Sequence, residues 1–194
     1  MAMPLIPIYS EWTVDLLDAL PQSAERFELI DGELFVTPSP GIPHQGVILT
    51  LAAALLTYTR AEQFGRTIIS PSDVRRDDFQ KNRVQPDIYV VRLTDDRLPD
   101  YPFHLRELML AIEVISPGNP VLDYHIKRGL YLAEGVGEYW IIDIDRQILT
   151  RFRQGQGEGE VFTDRIEWRP IEARTTFAVE LPALFAEARG ELRT

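Results

Sequence analysis

The segments Gln85-Pro86-Asp87-Ile88-Tyr89-Val90-Val91 and Leu110-Ala111-Ile112-Glu113-Val114-Ile115 decide the fold of this chain. Both are runs of β-branched and other apolar residues, which is the pattern of a buried strand. Each run also carries one acidic residue. An ionised carboxylate in such a run is costly to desolvate unless it is paired or binds a cation. Two carboxylates on neighbouring strands repel each other, so we predict a divalent metal between Asp87 and Glu113.

A lysine follows in the next predicted helix. Lys127 is one of only two lysines in the chain, and it lies shortly after the second strand. A metal held by an Asp and a Glu can activate water, and an ammonium group beside it can stabilise the charge that develops on a phosphate. The three residues together therefore favour phosphodiester hydrolysis.

Length and composition favour one globular domain spanning residues 1–194. The chain is 45% hydrophobic and 26% charged, which is ordinary for a single α/β core. It has no cysteine, so disulfides and thiolate zinc sites are excluded and a reducing cytoplasm is the expected location. The first residues do not have the pattern of a signal peptide. No apolar stretch approaches the roughly 20 residues of a membrane span, so no membrane partner is expected.

The net charge of −10 is unusual for a protein that binds nucleic acid, because lysine and arginine supply most phosphate contacts. The densest basic cluster lies just before the Asp87 strand and consists of Arg75, Arg76, Lys81 and Arg83. It could face a phosphate backbone, and it could equally be a solvated hairpin tip.

The remaining elements follow from periodicity and turn residues. Asp31-Gly32 between two strand-like runs predicts a hairpin. Apolar spacing predicts a long helix over 44–64 that ends at Gly65. A sharp turn at 116–120 should lead into a helix that Pro120 opens and Gly135 closes. The other expected elements are a short helix capped by Ser10, a strand at 138–143, an outer hairpin of 147–153 with 160–168, and a terminal helix.

Taken together, these segments resemble the Uma-two-type family within the PD-(D/E)XK, or restriction-endonuclease-like, nuclease superfamily. The resemblance extends over about residues 10–185. It is carried by the segments 27–33, 44–45, 85–87, 113–117, 123–131 and 135–143. It implies an α/β restriction-endonuclease-like core, in which a central mixed β-sheet is flanked by helices. An N-terminal hairpin and a C-terminal outer hairpin are added to this core.

The resemblance also implies roles for individual residues. Asp87 and Glu113 would hold Mg²⁺, for which Mn²⁺ could substitute, and the backbone carbonyl of Val114 would be a further oxygen ligand. The superfamily places its lysine two residues after the glutamate, where this chain has Ile115. Lys127 on the following helix would take over that role.

His44 and Glu28 complete the set of candidate catalytic residues, and each candidate has a structural alternative. Asp87 and Glu113 could be ordinary acids at strand ends. Lys127 could be a surface lysine paired to Asp123. His44 could cap its helix or pair with another residue, and Glu28 could be an exposed strand glutamate.

Two functions fit these residues. The first is a metal-dependent endonuclease that hydrolyses DNA, for which cutting both strands would favour a two-fold homodimer. The second is a catalytically inactive nuclease-fold protein that serves as an interaction or regulatory module. The displaced lysine and the acidic composition favour the second function, and the intact pair of carboxylates favours the first.

Overall fold

The computed structural model describes residues 9–21, 25–115 and 121–191. Its helices are α1 Val14–Asp18, α2 Ile42–Glu62, a π-helix Leu122–Lys127 that continues as α3 Arg128–Ala133, and α4 Leu181–Ala188. Its strands are β1 Arg26–Ile30, β2 Glu33–Thr37, β3 Gly65–Ile69, β4 Val74–Arg75, β5 Arg83–Val84, β6 Ile88–Arg92, β7 Phe103–His104, β8 Leu108–Ile115, β9 Glu138–Asp143, β10 Ile148–Arg153, β11 Glu160–Phe162, β12 Arg165–Trp168 and β13 Phe177–Glu180.

The central sheet has six strands in the order β11-β10-β9-β8-β6-β3. Strands β8 and β9 are parallel and the other neighbours are antiparallel. Buried side chains of α2 and α4 pack with one face of this sheet, and those of α3 pack with the other face. The predicted α/β architecture, with a mixed central sheet flanked by helices, is confirmed.

The pairing of β6 with β8 sets the position of the two acidic residues. Ile88 lies opposite Ile112 in this antiparallel pair. The next position in the same register places Asp87 opposite Glu113. Because Asp87 precedes β6 and Glu113 lies near the end of β8, both residues are at one end of the sheet.

The N-terminal hairpin has the predicted turn. Strand β1 pairs with β2 from Arg26 opposite Thr37 to Ile30 opposite Glu33. Asp31 and Gly32 have φ values of 49° and 80°, as a type I′ turn requires. The hairpin joins β5, β4 and β7 in a second sheet. Residues of the hairpin thereby lie next to the segment that leads into β6.

The long helix α2 ends two residues earlier than predicted. Gln63, and not Gly65, takes the left-handed conformation at its end, with φ of 62°. Gly65 begins β3, where an added Cβ would lie 2.9 Å from Val90 Cγ1 and from the Val91 carbonyl oxygen. Close packing of β3 against β6 therefore explains this glycine better than helix capping does.

By length and apolar composition, α2 could cross a membrane, so the expectation that no apolar stretch approaches that length is wrong. Core helices of globular proteins also satisfy this criterion. Here Val47, Leu51 and Leu55 are buried in the cluster that joins α2 to the central sheet and to α4.

Three other boundaries differ from the sequence predictions. Helix α1 is capped by the Thr13 hydroxyl, which accepts a hydrogen bond from the Leu16 N–H, and not by Ser10. The predicted run 160–168 divides, because β11 pairs with β10 whereas β12 pairs with β13. The predicted turn at 116–120, including Pro120, lies outside the described residues.

Candidate functional site

Asp87 is held by contacts from three directions. Its Oδ1 lies 2.6 Å from Arg26 Nη1, and its Oδ2 accepts a hydrogen bond of 2.8 Å from the Val114 N–H. His44 Nε2 lies 3.2 Å from the same Oδ2. Asp87 is 2% exposed. The carboxylate is thus fixed by the N-terminal hairpin, by the neighbouring strand β8 and by the first turn of α2.

Glu113 and Glu28 share one lysine. Lys127 Nζ lies 2.9 Å from Glu113 Oε1 and 2.9 Å from Glu28 Oε2, and all three side chains are buried. The Tyr131 hydroxyl donates a 2.9 Å hydrogen bond to Glu113 Oε1. The Gln85 N–H donates to Glu28 Oε1. Lys127 therefore links β1 to β8 through its contacts with these two acids.

A π-helix presents Lys127. The Arg128 N–H bonds to the carbonyl of Asp123, five residues earlier, which closes the wide turn of this segment. Asp123 Oδ1 lies 3.7 Å from Lys127 Nζ, so both side chains face the carboxylates. Wide turns of this kind are rare and occur often at functional sites.

The two facing carboxylates have opposite pKa shifts. Burial would raise the pKa of Asp87, but the hydrogen bond from His44 and the charge of Arg26 lower it to about 2. Burial raises the pKa of Glu113 to about 8, and the negative charge of Asp87 adds to this rise although Lys127 opposes it. Asp87 is thus the more acidic member of the pair.

Acidic side chains outnumber basic ones at this site, and the pKa values of its two cations show the effect. Burial alone would lower the pKa of Lys127, but the charges of Glu113, Glu28 and Asp123 raise it. Burial would likewise lower the pKa of Arg26, but the charges of Glu28, Glu113 and Asp87 raise it instead. Four acidic side chains thus surround the two cations Arg26 and Lys127, and the site would accept further positive charge.

An open cleft of about 960 Å³ leads to these residues. Its walls include the hairpin, the start of α2 and the ends of β3 and β8. Lys127 and Glu28 are not among the lining residues. The site residues that line it are Arg26, His44, Asp87, Glu113, Val114 and Asp123.

The structure brings all five candidate catalytic residues together and decides between most of the alternatives. Lys127 and Glu28 are fully buried, so neither is a surface residue. Asp87 and Glu113 are buried, and each contacts a cation, Arg26 and Lys127 respectively. His44 makes no capping hydrogen bond and instead pairs with Asp87. The catalytic roles of these residues remain predictions.

Sequence reasoning missed Arg26. It lies two residues before Glu28 on β1, so the two side chains share one face of that strand. Arg26 Nε is 3.6 Å from Glu28 Oε2. Period-two spacing would have placed Arg26 beside Glu28, but only the fold brings β1 next to Asp87.

The donors present suit Mg²⁺ or Mn²⁺. Glu113 Oε2 is buried without a hydrogen-bond partner. Val114, which follows Glu113 and donates its N–H to Asp87, lines the cleft. Within residues 9–21, 25–115 and 121–191, no three His, Asp or Glu side chains form a ready-made metal cage. Mg²⁺ is commonly held by one or two carboxylates and keeps several waters. Asp87, Glu113 and the Val114 carbonyl therefore fit such an ion.

The fold is that of a restriction-endonuclease-like protein. The chain belongs to the family described as "Uma2: Putative restriction endonuclease", which it matches over residues 14–183. No curated protein matches the chain.

A solved structure supports the assignment of the fold. The chain is similar to a protein from Anabaena variabilis ATCC 29413, described as "a putative nuclease belonging to DUF820". The two share 21% sequence identity with a TM-score of 0.74, and the match covers 94% of this chain and 99% of the other. The likeness extends over nearly the whole of both chains.

Proposed function

We propose that this protein is a divalent-metal-dependent endonuclease that hydrolyses phosphodiester bonds of DNA. The observation that supports this most strongly is the pair Asp87 and Glu113. They are opposite each other in the register of β6 with β8, both line an open cleft, and one oxygen of Glu113 is buried without a hydrogen-bond partner.

Asp87, Glu113 and the Val114 carbonyl would hold Mg²⁺ or Mn²⁺. When bound, such an ion supplies Lewis-acid activation of water and of a phosphate oxygen. The chain's own residues orient the ligands. His44 and the Val114 N–H fix Asp87, while Lys127 and Tyr131 fix Glu113. Pre-oriented ligands reduce the rearrangement that the reaction requires.

The test is nicking of supercoiled plasmid in Mn²⁺ over a series of ionic strengths. Wild-type protein should nick the plasmid, EDTA should stop the reaction, and the matched variant Asp87→Asn should be inactive. Asp87→Asn should also bind Mn²⁺ more weakly in calorimetry, because a neutral amide is a poorer ligand than a carboxylate. Nicking that persists in EDTA, or in Asp87→Asn, would contradict the proposal.

A specific contact favours the inactive-module function. Arg26 Nη1 already lies 2.6 Å from Asp87 Oδ1, and an arginine in place of a metal would stabilise the fold without catalysis. A thermal-shift titration separates the two functions. Stabilisation by millimolar Mn²⁺ supports the endonuclease, and no shift supports the module.

We further propose that two copies associate through the outer face of α2. Residues 42–59 contain no charged side chain in a chain of net charge −10, so this face avoids the repulsion between copies. Ile42 and Leu49 are 84% and 73% exposed on it. Sedimentation equilibrium should give a wild-type dimer and a Leu49→Glu monomer. A monomeric wild type would contradict this assembly.

A further inference from the structure

Two cations contact the acidic site, and they differ in their access to the cleft. The Lys127 side chain is fully buried, and its ammonium faces Glu28, Glu113 and Asp123. The Arg26 side chain is 21% exposed and lines the cleft, whereas Lys127 does not. A phosphate that enters the cleft can therefore approach Arg26, whereas the enclosed Lys127 is out of its reach.

The hydrogen-bond donors of the Arg26 guanidinium are also not all paired. Its Nη1 contacts Asp87 Oδ1 and the Gln85 carbonyl at 2.6 and 3.2 Å. Its Nε is buried without a hydrogen-bond partner and lies 3.6 Å from Glu28 Oε2. A guanidinium presents five donors in a planar fork that matches the oxygens of a phosphate.

We propose that Arg26 is the residue that contacts the scissile phosphate, and that Lys127 instead positions Glu28 and Glu113. This inference rests on the proposed endonuclease function and assigns the substrate-facing cation within it. Because Arg26 holds Asp87 in the metal-free protein, Arg26 and the metal compete for that carboxylate. If Asp87 bound the metal, its contact with Arg26 would be broken. The guanidinium would then be free to bind phosphate oxygens next to the metal.

This competition gives a signature that a purely structural arginine would not have. Arg26→Gln should bind Mn²⁺ more tightly than wild type, by several-fold in calorimetry, because the competing cation is gone. The same variant should nick supercoiled plasmid about 10²-fold more slowly, as loss of one oriented charged donor typically does. Tighter metal binding combined with slower cleavage is the expected pair of results.

Two further variants make the test robust. Arg26→Lys keeps the charge beside Asp87 and so protects folding, but it lacks the planar fork, and it should nick more slowly than wild type. Arg83→Gln removes another arginine of the cleft wall, which pairs with Asp18 at 2.6 Å. It should leave Mn²⁺ affinity unchanged and reduce nicking less than Arg26→Gln does.

The outcomes separate this inference from the proposed function. A wild type that neither binds Mn²⁺ nor nicks overturns both. A wild type that nicks while Arg26→Gln nicks equally fast overturns the role of Arg26 alone. Parallel loss of metal affinity and rate in Arg26→Gln and Arg26→Lys would also overturn it, because that result describes a structural residue. Equal effects of Arg26→Gln and Arg83→Gln on nicking would likewise overturn it, because any positive charge at the cleft wall would then serve as well as Arg26.

Discussion

Lys127 and Glu113 are in direct contact in the buried core, with 2.9 Å between Nζ and Oε1. The same ammonium group contacts Glu28 at the same distance. A lysine that had merely approached a substrate from the protein surface would not be enclosed in this way. The pair ties the π-helix to the end of β8 and so couples folding to the arrangement of the site.

Replacement of Lys127 should therefore cost stability as well as activity. Lys127→Met leaves Glu28 buried without its cation, and breaking a buried pair from one side costs about 3–5 kcal/mol. We expect this loss in the metal-free free energy of unfolding, measured by urea denaturation, with partial recovery in Mn²⁺. Lys81→Met is the matched control, because Lys81 is the chain's other lysine and pairs with Glu11 at the surface. Equal stability of the two variants would contradict the buried role.

Glu113 should make the metal-free protein less stable at alkaline pH. Burial raises its pKa from 4.5 to about 8, so the folded protein holds this proton more tightly than the unfolded chain does. The stability that the proton contributes is complete below pH 4.5 and is lost as pH rises through about 8. Each unit of pKa difference is worth about 1.4 kcal/mol.

The measurement for Glu113 is urea denaturation in EDTA from pH 4.5 to 8.5. The free energy of unfolding of wild type should fall as pH rises, and that of Glu113→Gln should not show this fall. The variant should therefore gain stability relative to wild type as pH rises. Glu33→Gln, at the exposed end of β2, should run parallel to wild type. Parallel curves for wild type and Glu113→Gln would show that this carboxyl does not titrate in the range.

His44 should act through Asp87. Its Nε2 lies 3.2 Å from Asp87 Oδ2. Mutation of a residue that orients a metal ligand typically lowers metal affinity or activity by roughly 10–100-fold. His44→Gln should therefore lower Mn²⁺ affinity and nicking together by about that factor. His125→Gln, at an exposed position of the π-helix, should leave both unchanged. Unaltered metal affinity in His44→Gln would remove His44 from this role.

Gly137 should be irreplaceable for the pairing of β8 with β9. A Cβ added there would lie 2.5 Å from the Met109 carbonyl oxygen, and the backbone at that point cannot yield easily. Gly137→Ala should lower the thermal midpoint, with a loss of stability of about 1–3 kcal/mol from overpacking. Gly157→Ala is the control, since no described atom lies within 4 Å of its added Cβ. Similar midpoints for both variants would contradict the close approach.

Much of the site could be predicted from short apolar runs that contain one charged residue. Asp87 and Glu113 stood out because a carboxylate in a buried strand needs a partner. The hairpin turn was equally clear, because Asp31 and Gly32 suit positive φ. Gly65 was assigned to the wrong role, because a glycine after a helical pattern can either cap the helix or allow a close strand approach. Local sequence contains nothing that separates the two.

The sequence alone determined the class of the fold and placed two acidic residues at the ends of buried strands and a lysine in the helix that follows them. It left open whether that lysine is buried or at the surface. The periodicity of apolar residues and the cost of burying charge are local properties, so one chain segment is enough to reveal them. Only the tertiary structure decided which cation faces the cleft. Arg26 reaches Asp87 across 61 positions of sequence, and Lys127 is enclosed by Glu28 from a distant hairpin. Such contacts depend on the relative placement of β1, β8 and the π-helix, and long-range packing, not local pattern, fixes that placement.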